Sequence, residues 1–246
     1  MEYFYFPKDF NEKIQRAVDY FWNTRDSQFA LSGQDQGNRG AVTGGKQLDA
    51  FVELLKDILV LNGVKENSIF TNSQLELPGY YRANKKWDVL VVDRHNLLAA
   101  IELKSQIGPS FGNNFNNRTE EALGSAVDIW TAYREEVFGI QQQPWVGYFM
   151  LLEDCHNSSL PVATKSPHFK VMQEFDNASY KERYEIFCRK LQLERQYSAV
   201  CFMTTSRPNE RATSFDCPNK QLSFKTFVTS LLRCVTSIGD EGRIHI

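Results

Sequence analysis

The chain has 246 residues, of which 42% are hydrophobic and 24% are charged, a composition typical of a folded globular protein rather than a disordered or collagen-like one. Its 28 basic and 30 acidic residues give a net charge of −2. This excludes a protein that coats nucleic acid by bulk positive charge, although it leaves room for a local basic cleft.

Five cysteines without a CxxC pair and four histidines without ligand spacing indicate neither a disulfide framework nor a structural zinc site. Neither a secretory signal nor an apolar run long enough to cross a bilayer is apparent, so we expect a cytoplasmic protein.

Hydrophobic periodicity and turn residues divide the chain into helices, strands and loops. In the first half, the predicted elements are a helix at 9–30, a glycine-rich loop at 31–45, a helix at 46–61, an extended segment at 67–77, and strands at 87–93 and 97–104 joined by the turn Arg94–Asn96. In the second half, they are a polar loop at 105–118, a helix at 119–138, a strand at 145–152, a helix at 178–195, a strand at 197–205 and a helix at 222–238. The core-facing stripe predicted for the 119–138 helix consists of Leu123, Ala126, Val127, Trp130 and Tyr133.

This order of elements indicates an α/β fold with a mixed central sheet flanked by helices. Because neither a linker nor an internal repeat interrupts it, we expect a single domain spanning residues 1–246.

Two acids and a lysine lie on the predicted hairpin. Asp88 and Glu102 are equally far along the chain from His95, the centre of the turn, so they should face each other with their Cβ atoms roughly 5 Å apart. Side chains alternate along a strand, which places Glu102, Lys104 and Gln106 on one face. Two carboxylates this close repel each other, and a hard divalent cation such as Mg²⁺ removes the repulsion. The pattern indicates metal-assisted phosphodiester hydrolysis, with Lys104 orienting or activating the attacking water.

A plainer interpretation is that Glu102 and Lys104 form a solvated ion pair on an edge strand. The apolar stretch 97–101 argues against this interpretation. It predicts a buried strand, and an acid at the end of a buried strand is costly unless it has a function. Three cations precede Asp88 and are candidates for contacts with phosphate groups, namely Arg82, Lys85 and Lys86.

The segment Trp-Asp-Val-Leu-Val-Val-Asp, followed by Ile-Glu-Leu-Lys-Ser-Gln, resembles the PD-(D/E)xK nuclease signature, with Trp87 in place of the usual proline. The continuation from Ile107 to Ala126 is similar to the Xho-type restriction endonucleases, type II enzymes that cut the palindrome CTCGAG. The likeness covers nearly the whole chain. It implies a restriction-endonuclease-like core and a restriction–modification enzyme that hydrolyses double-stranded DNA with Mg²⁺, leaving 5′-phosphate ends with 5′ overhangs.

The resemblance also implies roles for individual residues. Asp88, Glu102 and the main-chain carbonyl of Leu103 would ligate Mg²⁺, and Lys104 would position or activate the attacking water. Many superfamily members carry a glutamate on the helix before the sheet. Glu53 is the candidate here, with an ion pair to Lys56 as the alternative. Gln106 is a candidate for holding a water or a phosphate group, or else an ordinary amide at the start of a loop.

A palindromic site implies a two-fold homodimer in which each subunit contacts one half-site. Arginine and lysine suit guanine edges, whereas asparagine and glutamine suit adenine edges. Two polar loops supply such residues, although asparagine-rich loops are also common as plain turns. The DNA-binding candidates are Arg39 and Lys46 in and after the first loop, and Asn113, Asn114, Asn116, Asn117 and Arg118 in the second.

A cognate DNA methyltransferase is the functional partner that such an enzyme implies. Two other functions remain open from the residues alone. One is a structure-specific repair or junction nuclease of the same fold, and the other is a catalytically inactive DNA-binding module.

Overall fold

The computed structural model describes residues 4–32, 46–208 and 213–241. Most of the predicted glycine-rich loop, and with it the candidate Arg39, lies outside these ranges. The helices within them are α1 (Phe10–Ser32), α2 (Asp49–Leu61), α3 (Phe111–Arg134), α4 (His156–Ser159), α5 (Tyr180–Leu193) and α6 (Phe224–Glu241). The strands are β1 (Ile69–Phe70), β2 (Glu76–Pro78), β3 (Asn84–Lys86), β4 (Val89–Asp93), β5 (Asn96–Gln106), β6 (Trp145–Glu153), β7 (Ala199–Ser206) and β8 (Ser214–Asp216).

Six of these strands form one mixed sheet in the order β1-β4-β5-β6-β7-β8, and β2 and β3 form a separate antiparallel ribbon. The central strands β5, β6 and β7 run parallel, whereas the outer pairs are antiparallel. Parallel strands bring their carboxyl ends to one edge of the sheet, where ligands of α/β proteins commonly bind. The predicted α/β fold with a mixed sheet is confirmed.

Helices cover both faces of the sheet. On one face, α1, α2 and α6 enclose a core that includes the fully buried rings of Phe51 and Phe149. On the other face, α3 and α5 enclose a second core around Tyr148 and Tyr184. The central strands are buried on both sides, which explains why their sequences are continuous apolar runs. None of the helices in the described ranges is long and apolar enough to cross a membrane.

The predicted hairpin is formed by β4 and β5. Residues Val89–Val91 pair with Ala99–Ile101 in the predicted register, and a bulge at 91–92 shifts the pairing near the turn. The turn contains only Arg94 and His95, one residue fewer than predicted. Both residues have positive φ angles, 49° and 70°, as a two-residue turn that matches the twist of a hairpin requires.

The polar loop predicted at 105–118 is wrong. Strand β5 continues to Gln106, and α3 begins at Phe111, so the asparagine-rich segment forms the first turns of a helix. Glycine and asparagine have low intrinsic helix propensity, and this is why the sequence favoured a loop.

Aromatic packing overrides that propensity. The ring of Phe111 stacks on that of Tyr180 with centroids 6.0 Å apart, and Phe115 meets Tyr184 edge to face at 5.0 Å. Gly112 makes the close approach possible, because a Cβ atom there would lie 2.6 Å from the hydroxyl oxygen of Tyr180. Helix α5 thus holds the start of α3 in place.

The face that α3 buries also differs from the predicted stripe. Leu123 and Val127 were expected to face the core, but they are 40% and 45% exposed. The buried residues are Ala122, Ala126 and Ile129 instead. Small alanines allow the helix to lie close to the sheet, and the larger side chains are left on its outer surface.

Candidate active site

Asp88 directly precedes β4 and lies beside the carboxyl half of β5. Its main-chain N–H donates to the carbonyl of Ile101 at 3.1 Å, and its side-chain Oδ2 accepts the N–H of Leu103 at 2.7 Å. The carboxylate therefore satisfies a main-chain donor of the neighbouring strand, which fixes its position. Continuing the observed register places Asp88 opposite Glu102, on the face that α3 and α5 cover.

Glu102 is only 3% exposed and is held by two lysines. The ammonium of Lys104 lies 2.7 Å from its Oε1, and that of Lys85 lies 3.1 Å from the same oxygen. Its other oxygen, Oε2, is buried and has no hydrogen-bond partner in the part of the chain that the structure describes. An unsatisfied carboxylate oxygen in a buried site is costly, and a bound cation or hydrogen-bond donor would remove that cost.

The two acids differ in how firmly they are held ionised. Burial alone would raise the pKa of Glu102, but the charges and hydrogen bonds of Lys104 and Lys85 outweigh burial and lower the pKa. For Asp88, burial dominates and raises the pKa. The N–H of Leu103 and the charge of Lys104 offset part of that effect, whereas the charge of Glu102 adds to it. The site thus contains the two mutually repelling carboxylates expected from the sequence.

The donor set fits a hard divalent cation. Two carboxylates share one face of the sheet, and the buried Oε2 of Glu102 has no other protein ligand within the described ranges. The same ranges contain no group of three or more His, Cys, Asp or Glu side chains able to hold a metal ion. Main-chain oxygens, water and a substrate phosphate would therefore complete the coordination, as is common for Mg²⁺.

Helix α2 brings further acids toward this site. Glu53 is exposed on that helix. Lys56 forms its ion pair with Glu66, at 2.8 Å, rather than with Glu53 as the alternative interpretation suggested. Asp49, one helical turn before Glu53, is a residue that the sequence analysis missed. Burial raises the pKa of Asp49, the charge of Lys46 offsets part of that rise, and the charges of Glu53 and Asp88 add to it. The start of α2 is therefore within electrostatic range of Asp88.

Gln106 is not the start of a loop, since it is the last residue of β5 and is only 3% exposed. Its Nε2 donates to the carbonyl of Ile107 at 2.5 Å. The side chain is thus turned toward the connection that leads into α3.

The three cations before Asp88 have different surroundings. Lys85 is turned inward, with 12% of its side chain exposed, and belongs to the acid cluster through its contact with Glu102. Lys86 is exposed. The guanidinium of Arg82 lies 2.6 Å from the buried carboxylate of Asp128, although nearly half of the Arg82 side chain remains exposed.

The DNA-binding candidates of the second predicted loop lie on the first turns of α3. Three of them are exposed, namely Asn113, Asn116 and Asn117, and Asn114 is half-buried. Arg118 is bound to Glu121 at 2.6 Å. Lys46 is exposed in the short 3₁₀ turn before α2.

Arg25 on α1 is a cation near this helix that the sequence analysis did not single out. Burial, and then the charge of Arg118, lower the pKa of Arg25. The Nε atoms of both arginines are buried without a hydrogen-bond partner among the described residues. Two neighbouring guanidinium groups with unused donors suit an anion such as a phosphate group. Only the folded chain brings these two helices together, so spacing in the sequence gives no signal for the pair.

Comparisons with known proteins identify the family of the chain. The family model for restriction endonuclease XhoI matches residues 27–217. The type II restriction enzyme BstVI of Geobacillus stearothermophilus is 51% identical over 211 residues, which cover 84% of this chain and 94% of that protein. The type II restriction enzyme XhoI of Xanthomonas vasicola is 45% identical over 192 residues, covering 76% of this chain and 77% of that protein. No solved structure matches the chain. The chain therefore belongs to the XhoI family of restriction endonucleases, whose members are site-specific deoxyribonucleases.

Proposed function

We propose that the chain hydrolyses double-stranded DNA at the palindrome CTCGAG with Mg²⁺ as its metal ion, and leaves 5′-phosphate ends with 5′ overhangs. The observation that supports this most directly is the acid pair. Asp88 and Glu102 share one face, and the buried Oε2 of Glu102 lacks a hydrogen-bond partner among the described residues. Such a pair suits a cation that also contacts a phosphate group. The recognition sequence itself rests on the likeness to the family.

Each residue of the cluster has a proposed role. Asp88, Glu102 and the main-chain carbonyl of Leu103 would hold the ion, which when bound supplies a polarised phosphate group and a water of lowered pKa. Lys104, whose ammonium is 2.7 Å from Glu102, orients the attacking water and neutralises charge that develops on the phosphate. Glu53, on α2, would be an accessory residue.

The DNA contacts are divided between two groups of residues. Cations near the acids would bind backbone phosphates, which gives affinity but no sequence information. The exposed amides on the first turns of α3 would contact base edges, since an amide pairs well with adenine in the major groove. The proposed phosphate contacts are Arg82, Lys85 and Lys86. The other proposed DNA contacts, from the two segments predicted as polar loops, are Arg39, Lys46, Asn113, Asn114, Asn116, Asn117 and Arg118.

The biological setting follows from this activity. A palindromic target is matched by a homodimer of single-domain subunits, each spanning residues 1–246. A cognate DNA methyltransferase protects the same sites in the host's DNA, and both enzymes act in the cytoplasm.

The test is digestion of a sequenced plasmid in Mg²⁺, followed by mapping of the product ends. We expect discrete fragments that end at CTCGAG and carry 5′ phosphates. Asp88→Asn should abolish cleavage, whereas Glu194→Gln, an exposed acid after α5, should cut normally.

The alternatives give different products in the same experiment. Nicking that depends on DNA structure rather than sequence would indicate a repair or junction nuclease. Binding without any cleavage, in the unaltered protein and in Asp88→Asn alike, would indicate an inactive DNA-binding module.

A further inference from the structure

Lys85 points toward the acid pair, which its position in the sequence does not predict. It belongs to β3, in the ribbon outside the main sheet, yet its ammonium is 3.1 Å from Oε1 of Glu102. The same ammonium is 4.6 Å from the ring centre of Trp87, and 12% of the side chain is exposed. A lysine that contacts the DNA backbone from the surface would be open to solvent. This one is enclosed between a carboxylate and an aromatic ring.

The charges of the cluster explain its position. Glu102 brings a buried carboxylate to the site and Asp88 a half-buried one, and Lys104, on the same strand as Glu102, supplies one ammonium. Lys85 supplies a second ammonium, so the two positive charges cancel the two negative charges when both acids are ionised. Buried charges without a counter-charge are strongly destabilising, so Lys85 stabilises the metal-free protein.

A divalent cation would upset this balance. With both lysines in contact, the site would carry an excess of two positive charges in a poorly screened environment. Lys104 is two residues from Glu102 on β5 and moves with it, whereas Lys85 reaches in from a separate ribbon. Lys85 is therefore the cation that can withdraw without disturbing the strand that carries the acids.

We propose that Lys85 is the resident counter-cation of the metal site. It holds the carboxylate of Glu102 in place while no metal is bound, and it turns away toward the DNA backbone when a divalent cation binds. It is a positioning residue that acts through Glu102. This proposal rests on the metal dependence given under the proposed function.

The test compares Lys85→Met, which removes the charge at nearly constant length, with the unaltered protein. In EDTA, Lys85→Met should melt at a lower temperature, because the acid pair has lost a counter-charge. The dissociation constant for Mg²⁺, measured by calorimetric titration without DNA, should fall about tenfold, because a competing positive charge is gone. A lysine with a merely structural role would weaken stability and Mg²⁺ binding together, so the opposite signs identify the exchange.

Two further variants keep the test decisive. Lys85→Arg retains the charge and should resemble the unaltered protein in both measurements. Lys85→Met combined with Glu102→Gln removes one charge of each sign, so its melting temperature in EDTA should recover even if Lys85→Met alone fails to fold. Unchanged or weaker Mg²⁺ binding by Lys85→Met, or no recovery in the double variant, overturns the proposal. A lack of Mg²⁺ binding by the unaltered protein without DNA overturns this proposal alone, whereas a lack of plasmid cleavage in Mg²⁺ overturns the proposed metal dependence as well.

A second inference rests on the outer surface of α3. Leu123 and Val127, one turn apart, are 40% and 45% exposed. Gly124 leaves open space beside them, since a Cβ atom added there meets nothing within 4 Å. An apolar, locally flat stretch of this kind on a helix is suited to close packing against another helix.

The charges on this surface are symmetric about Val127. Glu120 precedes it by seven residues and Arg134 follows it by seven, and both are exposed. Seven residues span two helical turns, so the three side chains lie along one row. If two copies of α3 pack antiparallel about a two-fold axis at Val127, Glu120 of each copy lies opposite Arg134 of the other.

Two exposed tyrosines lie in a loop that is bound to α3. The buried carboxylate of Asp128 accepts the main-chain N–H groups of Tyr80 and Tyr81, each at 2.9 Å, and so fixes their loop against α3. The two rings, 5.0 Å apart, are 50% and 68% exposed. Tyrosine is among the residues enriched in protein interfaces.

We infer that a second copy of this chain docks on the α3 face, defined by Glu120, Leu123, Val127 and Arg134. The occupant is a second copy because the face is complementary in charge to itself. The inference rests on the homodimer given under the proposed function.

Charge exchange tests the α3 face by sedimentation velocity without DNA or metal. Glu120→Arg sets arginine against arginine, and Arg134→Glu sets glutamate against glutamate, so each variant should sediment as a monomer at concentrations where the unaltered protein is a dimer. The double variant Glu120→Arg/Arg134→Glu restores opposite charges and should restore the dimer. A dimer that survives both single changes, or does not return in the double variant, refutes the α3 face. A monomeric unaltered protein refutes the homodimer as well.

Discussion

The carboxyl half of β5 and the first turns of α3 are adjacent in the chain, and different forces hold them in place. Glu102 on β5 is surrounded by main-chain pairing on both sides and by two lysines. The start of α3 is held by the stacking of Phe111 on Tyr180, while its amides remain exposed. Hydrogen bonds and ion pairs fix the proposed chemistry, whereas side-chain packing fixes the proposed base contacts. Changes in the two regions should therefore have separable effects.

The largest effect is expected from Glu102→Gln. Losing a carboxylate that we propose binds the metal should slow cleavage by at least about 10³-fold, because a catalytic metal contributes several kcal/mol of charge stabilisation. Binding to a CTCGAG duplex in Ca²⁺ should persist, since α3 is untouched. Single-turnover cleavage and gel-shift assays measure the two quantities, with Glu135→Gln, an exposed acid after α3, as the control. Cleavage within a few-fold of normal would remove Glu102 from the metal site.

Lys104→Met should come next, with cleavage slowed by about 10²- to 10⁴-fold, the range for a residue that positions or transfers a proton. Mg²⁺ binding should remain measurable by calorimetry, because both carboxylates are intact. Lys104→Arg, which keeps the charge, should recover part of the rate. Equal rates for Lys104→Met and the unaltered protein would contradict the role of Lys104.

Gly112→Ala tests the packing at the start of α3. Its Cβ atom would lie 2.6 Å from the hydroxyl oxygen of Tyr180, and overpacking of this kind costs about 1–3 kcal/mol in the free energy of unfolding. Adding Tyr180→Phe removes the clashing oxygen and should return most of the loss. The matched control is Gly124→Ala on the same helix, where a Cβ atom meets nothing within 4 Å of the single chain, and both variants are compared in the Glu120→Arg background that should be monomeric. Equal unfolding free energies for the two alanine variants would show that the start of α3 does not pack as described.

Asp128→Asn should give the smallest effect. It should lower the free energy of unfolding by about 1–2 kcal/mol at neutral pH, because a charged hydrogen-bond acceptor is lost. Burial of Asp128 raises its pKa, but hydrogen bonds from Arg82 and from the N–H groups of Tyr81 and Tyr80 outweigh burial and lower it. A carboxyl with a lowered folded pKa stabilises the protein above its unfolded pKa of about 3.9 and loses that contribution as the pH falls through the folded value.

Denaturant titrations of the unaltered protein and Asp128→Asn at several pH values measure this contribution. The difference between their unfolding free energies should be full at pH 7 and should shrink below about pH 4. A difference that does not change with pH would show that the charge of Asp128 contributes nothing.

The strands and the acid pair were accessible from the sequence because local rules determine them. Alternation fixes the face of each residue, and a turn centred near His95 fixes the register that sets Asp88 against Glu102. The helical start of α3 was not accessible, because it depends on Tyr180 and Tyr184, far along the chain. The inward turn of Lys85 was missed for a similar reason, since it depends on how the β2–β3 ribbon folds against the sheet.

The short connection between Gln106 and Phe111 has a consequence for fidelity. It joins the strand that carries the proposed catalytic residues to the helix that we propose contacts the bases. Within it, Gly108 donates its N–H to the carboxylate of Glu153 at 2.7 Å. A mismatched target that tilts α3 would therefore pull on the strand bearing Glu102 and Lys104. Discrimination between correct and incorrect sites can then act on the rate of bond breakage as well as on affinity, without any moving domain.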